Sequence, residues 1–126
     1  MRVLCAICSK DKNHAEDLLP AAKRYTSERI KNAVSESQIR GLPLFFLSGE
    51  FGLISKDEPI PDYDHKLGET EVEGLVEKVA SQIARHGISE LIFLAKKRKT
   101  PGWGPYYRLI EKACSQAGAR LLVEKV

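Results

Sequence analysis

Four short segments carry residues whose types and spacing suit chemistry on an anion or a ring. Cys8-Ser9-Lys10 follows an apolar run, and a hydroxyl beside an ammonium can hold a phosphate, a carboxylate or a developing anion. The competing reading of CSKDKN is a solvated turn. Tyr25-Thr26-Ser27 precedes a helical pattern, where backbone N–H groups attract anions and two hydroxyls add donors. Simple N-capping explains the same residues. The stretch Leu47–Gly68 holds Ser48, then Gly49 and Gly52 bracketing Phe51, then two prolines, Tyr63 and Asp64. Phe51 and Tyr63 could sandwich a planar ring or pack the loop onto a sheet. Asp64 is the acid/base candidate, because a carboxylate at the rim of a partly dry pocket can be tuned for proton transfer. Finally, Lys96–Lys99 (KKRK) precedes Trp103, Tyr106 and Tyr107. Cations for phosphates beside rings for unstacked bases suit a nucleotide or single-strand surface, and a solvated charge run over core aromatics is the alternative.

Other chemistries find less support. His14, His65 and His86 are scattered, so no metal site is expected, and Asp62, Asp64 and His65 make only a weak cluster. No nucleophile elbow, phosphate-binding P-loop or dinucleotide fingerprint occurs, and no cofactor is expected. Cys5, Cys8 and Cys114 form an odd set, which argues against a disulfide framework and for a reducing, cytoplasmic setting. The pair Cys5/Cys8 lacks the second pair that a zinc site needs, and Cys5 reads as core packing.

The elements that must position these residues alternate in type. With 126 residues, 43% hydrophobic and 29% charged, the chain suits one globular domain and excludes a disordered or fibrous one. No apolar run approaches the roughly 20 residues that span a bilayer, and the amino-terminal segment does not read as a signal peptide. The net charge of +3 permits a nucleic-acid partner without demanding one. Arg2–Cys8, Pro43–Leu47, Leu91–Ala95 and, more weakly, Arg120–Val123 read as strands, the first three buried on both faces. Helices are expected from a cap at Thr26 or Ser27 to Gly41, from a Thr70/Glu73 capping box to Gly87, and from near Pro105 to Gly118. The second carries Val72, Leu75, Val76, Val79 and Ile83 on one face. Residues 11–24 resist assignment because Pro20 interrupts a short helical pattern. Buried strands alternating with helices imply one α/β domain with a short, mostly parallel four-stranded sheet between helices. Ligands of such sheets bind beyond the carboxyl ends of the strands, here at Cys8, Ser48 and Lys96.

The run FLSGEFGLISKDEPIPDYDHKLG resembles the signature of the YaaA peroxide-stress family and, more closely, that of its short relatives. The C-S-K at Cys8 and the Y-T-S at Tyr25 agree in order. The resemblance covers the amino-terminal half through these motifs and the remainder through element order. It singles out Cys8, Ser9 and Lys10, then Tyr25, Thr26 and Ser27, then Ser48, Gly49 and Gly52, and finally Tyr63 and Asp64. Asp62 stands where the pattern has proline before tyrosine, and the chain is considerably shorter than the YaaA proteins. The resemblance implies DNA binding in oxidative stress and a three-layer α/β/α fold similar to that of uracil-DNA glycosylases.

Together these readings predict a domain that recognises a nucleobase, nucleotide or nucleic-acid segment, with base-modifying or glycosidic-bond chemistry in view. Lys10, the helix start at Thr26–Ser27 and Lys96 would meet phosphate. Phe51, Tyr63 or Trp103 would meet a ring, and Asp64, Lys10 and Ser9 would carry any catalysis. The alternatives are a non-catalytic DNA-binding or stress-response module, and a subunit completed by another chain.

Overall fold

The computed structural model describes residues 1–126. Strand β1 (Arg2–Ile7) is the axis of the fold, because its apolar residues alternate between two cores. Val3, Cys5 and Ile7 join one buried cluster; Leu4 and Ala6 join the other. A short pairing segment, β2 (Leu19–Pro20), leads into a single helical turn, α1 (Ala21–Arg24), and then α2 (Glu28–Arg40). Strands β3 (Leu44–Ser48) and β4 (Gly52–Ser55) follow, then β5 (Pro59–Ile60), which pairs with β2. Helix α3 (Val72–Arg85), strand β6 (Glu90–Ala95), helix α4 (Gly104–Ala117) and strand β7 (Arg120–Lys125) complete the chain.

The main sheet runs β4-β3-β1-β6-β7. Strands β3 and β6 flank β1 in parallel, placing Cys5 opposite both Phe45 and Phe93. The sheet therefore has five strands where four were expected. The extra strand lies within the stretch read as a loop: Gly52–Ser55 folds back antiparallel on β3, with Ser48 opposite Gly52. Two glycine requirements shape this hairpin. Gly52 has φ of 76°, and a Cβ there would lie 2.5 Å from the Gln82 Oε1 of α3. A Cβ on Gly49 would press against the Leu67 backbone at 3.0 Å. Gln82 fastens the turn, its Oε1 accepting from the Leu53 N–H at 2.7 Å and its Nε2 donating to the Phe51 carbonyl at 3.1 Å.

The helix termini follow the sequence signals with one correction. Ser27 caps α2, its hydroxyl accepting from the Ile30 N–H, and Gly41 closes the helix at φ of 64°. The Thr70/Glu73 capping box does not form. Buried Leu67 pins the incoming chain, so a 3₁₀ turn (Glu69–Glu71) starts at Gly68, whose N–H donates to the Glu71 carboxylate at 2.9 Å. On α3, Val72, Val76, Val79 and Ile83 are buried, whereas Leu75 only borders the core. Ile83→Ala therefore removes a fully enclosed side chain and is expected to cost about 2–5 kcal/mol. Leu75→Ala is expected to cost less, and urea unfolding of both variants checks the order.

Candidate functional site

A cleft of about 440 Å³ opens at the carboxyl end of β1. Cys8, Ser9, Lys10 and Lys12 form one wall, Asp64, His65 and Lys66 a second, and Pro101, Gly102, Trp103 and Tyr106 a third. Arg29, from the first turn of α2, lies between them. Its guanidinium donates to the carbonyls of Ile7 at 2.8 Å and Cys8 at 3.1 Å, the acceptors left where β1 stops pairing. It also lies 5.2 Å from the Trp103 ring centroid. Burial pushes the Arg29 pKa below its ordinary value. The Tyr106 hydroxyl accepts from the Leu67 N–H at 3.1 Å and sits 3.7 Å from the Cys8 Sγ. This pins the loop through residues 61–68 against α4.

The charge of the cleft is uneven. Lys10, Lys12, Arg29 and Lys66 all line it, and none forms an ion pair with a carboxylate. Asp64 is its only carboxylate and is exposed and unpaired. Two of the lysines are further placed by their surroundings. Lys12 Nζ lies 4.7 Å from the Tyr63 ring centroid, and the Lys66 chain crosses Gly102 so closely that a Cβ there would lie 2.9 Å from its Nζ. Four cations and one carboxylate around a concave, partly aromatic surface make an anion-attracting site.

The structure gathers Cys8, Ser9, Lys10, Asp64 and Trp103 into this cleft and distributes the other expected residues elsewhere. Ser9 is 3% exposed, and its hydroxyl donates to the Asp11 carbonyl at 2.6 Å. Ser48 is fully buried beneath the β3–β4 turn, accepting from the Glu50 and Phe51 N–H groups at 3.1 and 3.2 Å. With both lone pairs engaged, its proton points to the Tyr63 hydroxyl at 3.0 Å, which in turn meets the Tyr25 hydroxyl. Burial raises the pKa of both tyrosines, so they serve as neutral hydroxyls. Phe51 packs edge-on to Tyr63, with centroids 4.9 Å apart. The two rings fill each other's space and leave no slot between them for a ligand ring. Thr26 is exposed, with its N–H donating to the Asp11 carbonyl, and Ser27 is occupied as the α2 cap.

The basic run does not line the cleft, although the cavity it borders shares Arg29 with it. Lys96 borders a second, smaller cavity of about 240 Å³ beside Ala33, Leu94 and Val126. Arg98 pairs with Glu111 at 2.7 Å. Tyr106 and Tyr107 are core residues, and Trp103, at 7% exposed, offers only an edge. No group of three or more His, Cys, Asp or Glu side chains is placed to hold a metal ion, and no helix is long and apolar enough to cross a membrane. Burial pushes the Cys5 thiol up sharply and that of Cys114 to about 11.

Arg29, Lys12 and Lys66 were not singled out as site residues from sequence, and Tyr106 entered only as a ring beside the basic run. Lys66 had a usable signal, since it lies in the same loop as Asp64. Arg29 had none, because a single arginine near a helix start reads as an exposed charge. Another missed residue is Arg24, which is fully buried and donates to the carbonyls of Asn13, Ala15, Asp17 and Ile60. That bracket orders residues 11–18 beside the cleft.

Fold and site together define an α/β protein with an anion-attracting cleft at the carboxyl end of its central strand. Residues 3–121 match the family described as "Family of unknown function (DUF6884)", and the chain belongs to that family. No curated protein and no solved structure matches the chain.

His65 ties the cleft wall to its supports, standing 3.3 Å from the Glu50 carboxylate and 2.7 Å from that of Glu71. Glu50, then Glu71, raise its pKa above the ordinary 6.5. A raised folded-state pKa gives stability that is fully present below the unfolded value and lost as pH rises through the folded value. The wild-type protein is therefore expected to be more stable than His65→Gln at pH 5.5, with the gap closing above the folded His65 pKa. Melting both proteins across pH 5.5–8.5 checks this, and His65 ring NMR should titrate above 6.5.

Proposed function

We propose that this protein recognises a nucleobase, nucleotide or nucleic-acid segment through the cleft at the end of β1. The observation that carries the reading is the set of unpaired cations, Lys10, Lys12, Arg29 and Lys66, in one concavity with an aromatic edge from Trp103. Phosphate oxygens satisfy such cations with charge-assisted hydrogen bonds, and the Trp103 edge borders a ring. Asp64, the one carboxylate facing this charge, is the candidate proton donor or acceptor for base-modifying or glycosidic-bond chemistry. The two core clusters on alternate residues of β1 support a three-layer α/β/α arrangement, and the family resemblance adds likeness to uracil-DNA glycosylases. The resemblance to the YaaA family adds oxidative stress as a setting, and three free cysteines suit a reducing, cytoplasmic compartment.

A specific observation favours the non-catalytic form of this reading. Ser9, a catalytic candidate, spends its hydroxyl proton on the Asp11 carbonyl and is buried, so it shapes the wall and does not reach a ligand. The test is fluorescence anisotropy with a 5′-phosphorylated single-stranded oligonucleotide at low salt. Lys10→Ala/Lys66→Ala is expected to weaken binding at least tenfold, and Lys97→Ala/Lys99→Ala less than twofold. Absence of saturable binding by both the oligonucleotide and nucleoside monophosphates would overturn the reading.

A further inference from the structure

Resting on the reading above, we infer that the cleft is built for a single nucleotide unit, a nucleoside monophosphate or one terminal nucleotide, and not for a continuous nucleic-acid backbone. A protein that tracks a strand presents cations along a groove several phosphates long. Here the unpaired cations converge. Lys10, Lys12, Arg29 and Lys66 share one cleft of about 440 Å³, within the range that encloses a small ligand.

The rim of the cleft is made of paired charges. His65, on its wall, is backed by the carboxylates of Glu50 and Glu71. Glu69 stands beside Gly104, next to the Trp103 wall, and pairs with Arg108 at 3.2 Å. Asp62 pairs with His14 close to Tyr63, and its pKa is held down by that histidine. Each of these carboxylates is held in an ion pair, so the rim past His65 adds no unpaired cation to the four gathered in the cleft. The cationic run at Lys96–Lys99 lies beyond the cleft, flanking a second cavity that meets it at Arg29, and its Arg98 is already paired with Glu111.

Inside the cleft the donors suit one phosphate. Arg29 uses two of its five N–H groups on the carbonyls of Ile7 and Cys8, leaving three without a protein acceptor. Lys10 and Lys66 have no partner to surrender. The Pro101, Trp103 and Tyr106 edges would then border the nucleoside, with Asp64 able to accept from a sugar hydroxyl or an exocyclic amine.

Isothermal titration of the wild-type chain with AMP, GMP, CMP and UMP, the matching nucleosides, inorganic phosphate and a 12-mer single strand tests this. At least one monophosphate is expected to bind within threefold of the 12-mer, and at least tenfold more tightly than its nucleoside and than inorganic phosphate. Lys66→Ala should lower that affinity about tenfold, with Lys66→Arg restoring most of it. If the 12-mer binds tenfold more tightly than every monophosphate, the single-unit inference falls while nucleic-acid recognition stands. Equal binding by inorganic phosphate also overturns the inference, because only a bare anion site would remain. If nothing binds, both readings fail.

Discussion

The site depends on how β1 ends. A buried parallel strand leaves carbonyls where its pairing stops, facing an interior that water cannot fully reach, and each needs a donor. Arg29 supplies both donors, to Ile7 and Cys8, from the second residue of α2. That bond fixes the first turn of α2 over the sheet and brings a charged group into a half-buried position. The Trp103 ring beside the guanidinium completes its shell and draws the start of α4 to the same point. Removing Arg29 would strand two carbonyls and loosen three elements together. The cleft is the space left between those elements.

A second set of bonds keeps the opposite wall in place. The loop through residues 61–68 has no regular structure beyond β5, so side chains must hold it. Tyr106 takes the Leu67 N–H, Glu71 takes the Gly68 N–H, and Tyr63 joins the hydroxyl chain to Ser48 and Tyr25. Each anchor comes from a different element, which gives Asp64, His65 and Lys66 a defined position on an otherwise irregular segment. The prolines at 59 and 61 reduce the freedom that those bonds must restrain.

Much of the scaffold is legible in the sequence because it rests on local signals. Doubly buried strands write themselves as apolar runs, and Ser27, Gly41 and Gly118 mark helix ends through capping and left-handed backbone. The hairpin of β3 and β4 carried a signal too, since FFLS and GLIS flank a short glycine-containing turn. Its proximity to two prolines favoured the loop reading instead. The site was only half legible. Lys10 and Asp64 stand at the end of a strand and in a conspicuous loop, which topology points to directly. Arg29, Lys66 and Tyr106 owe their roles to contacts across 20 to 100 positions of chain, which no local pattern records. The aromatic residues near the basic run misled because spacing cannot distinguish a ring that faces solvent from one that closes a core; Tyr106 and Tyr107 do the latter.

The central claim is that the end of β1 binds an anion through Lys10, Lys66 and the free N–H groups of Arg29. Soaking crystals of the protein in tungstate and locating the metal by anomalous scattering tests it most directly. The account predicts the strongest peak inside the cleft, with oxygens in hydrogen-bond reach of at least two of those three side chains. A cleft without a peak, with tungstate bound instead along Lys96–Lys99, would contradict it.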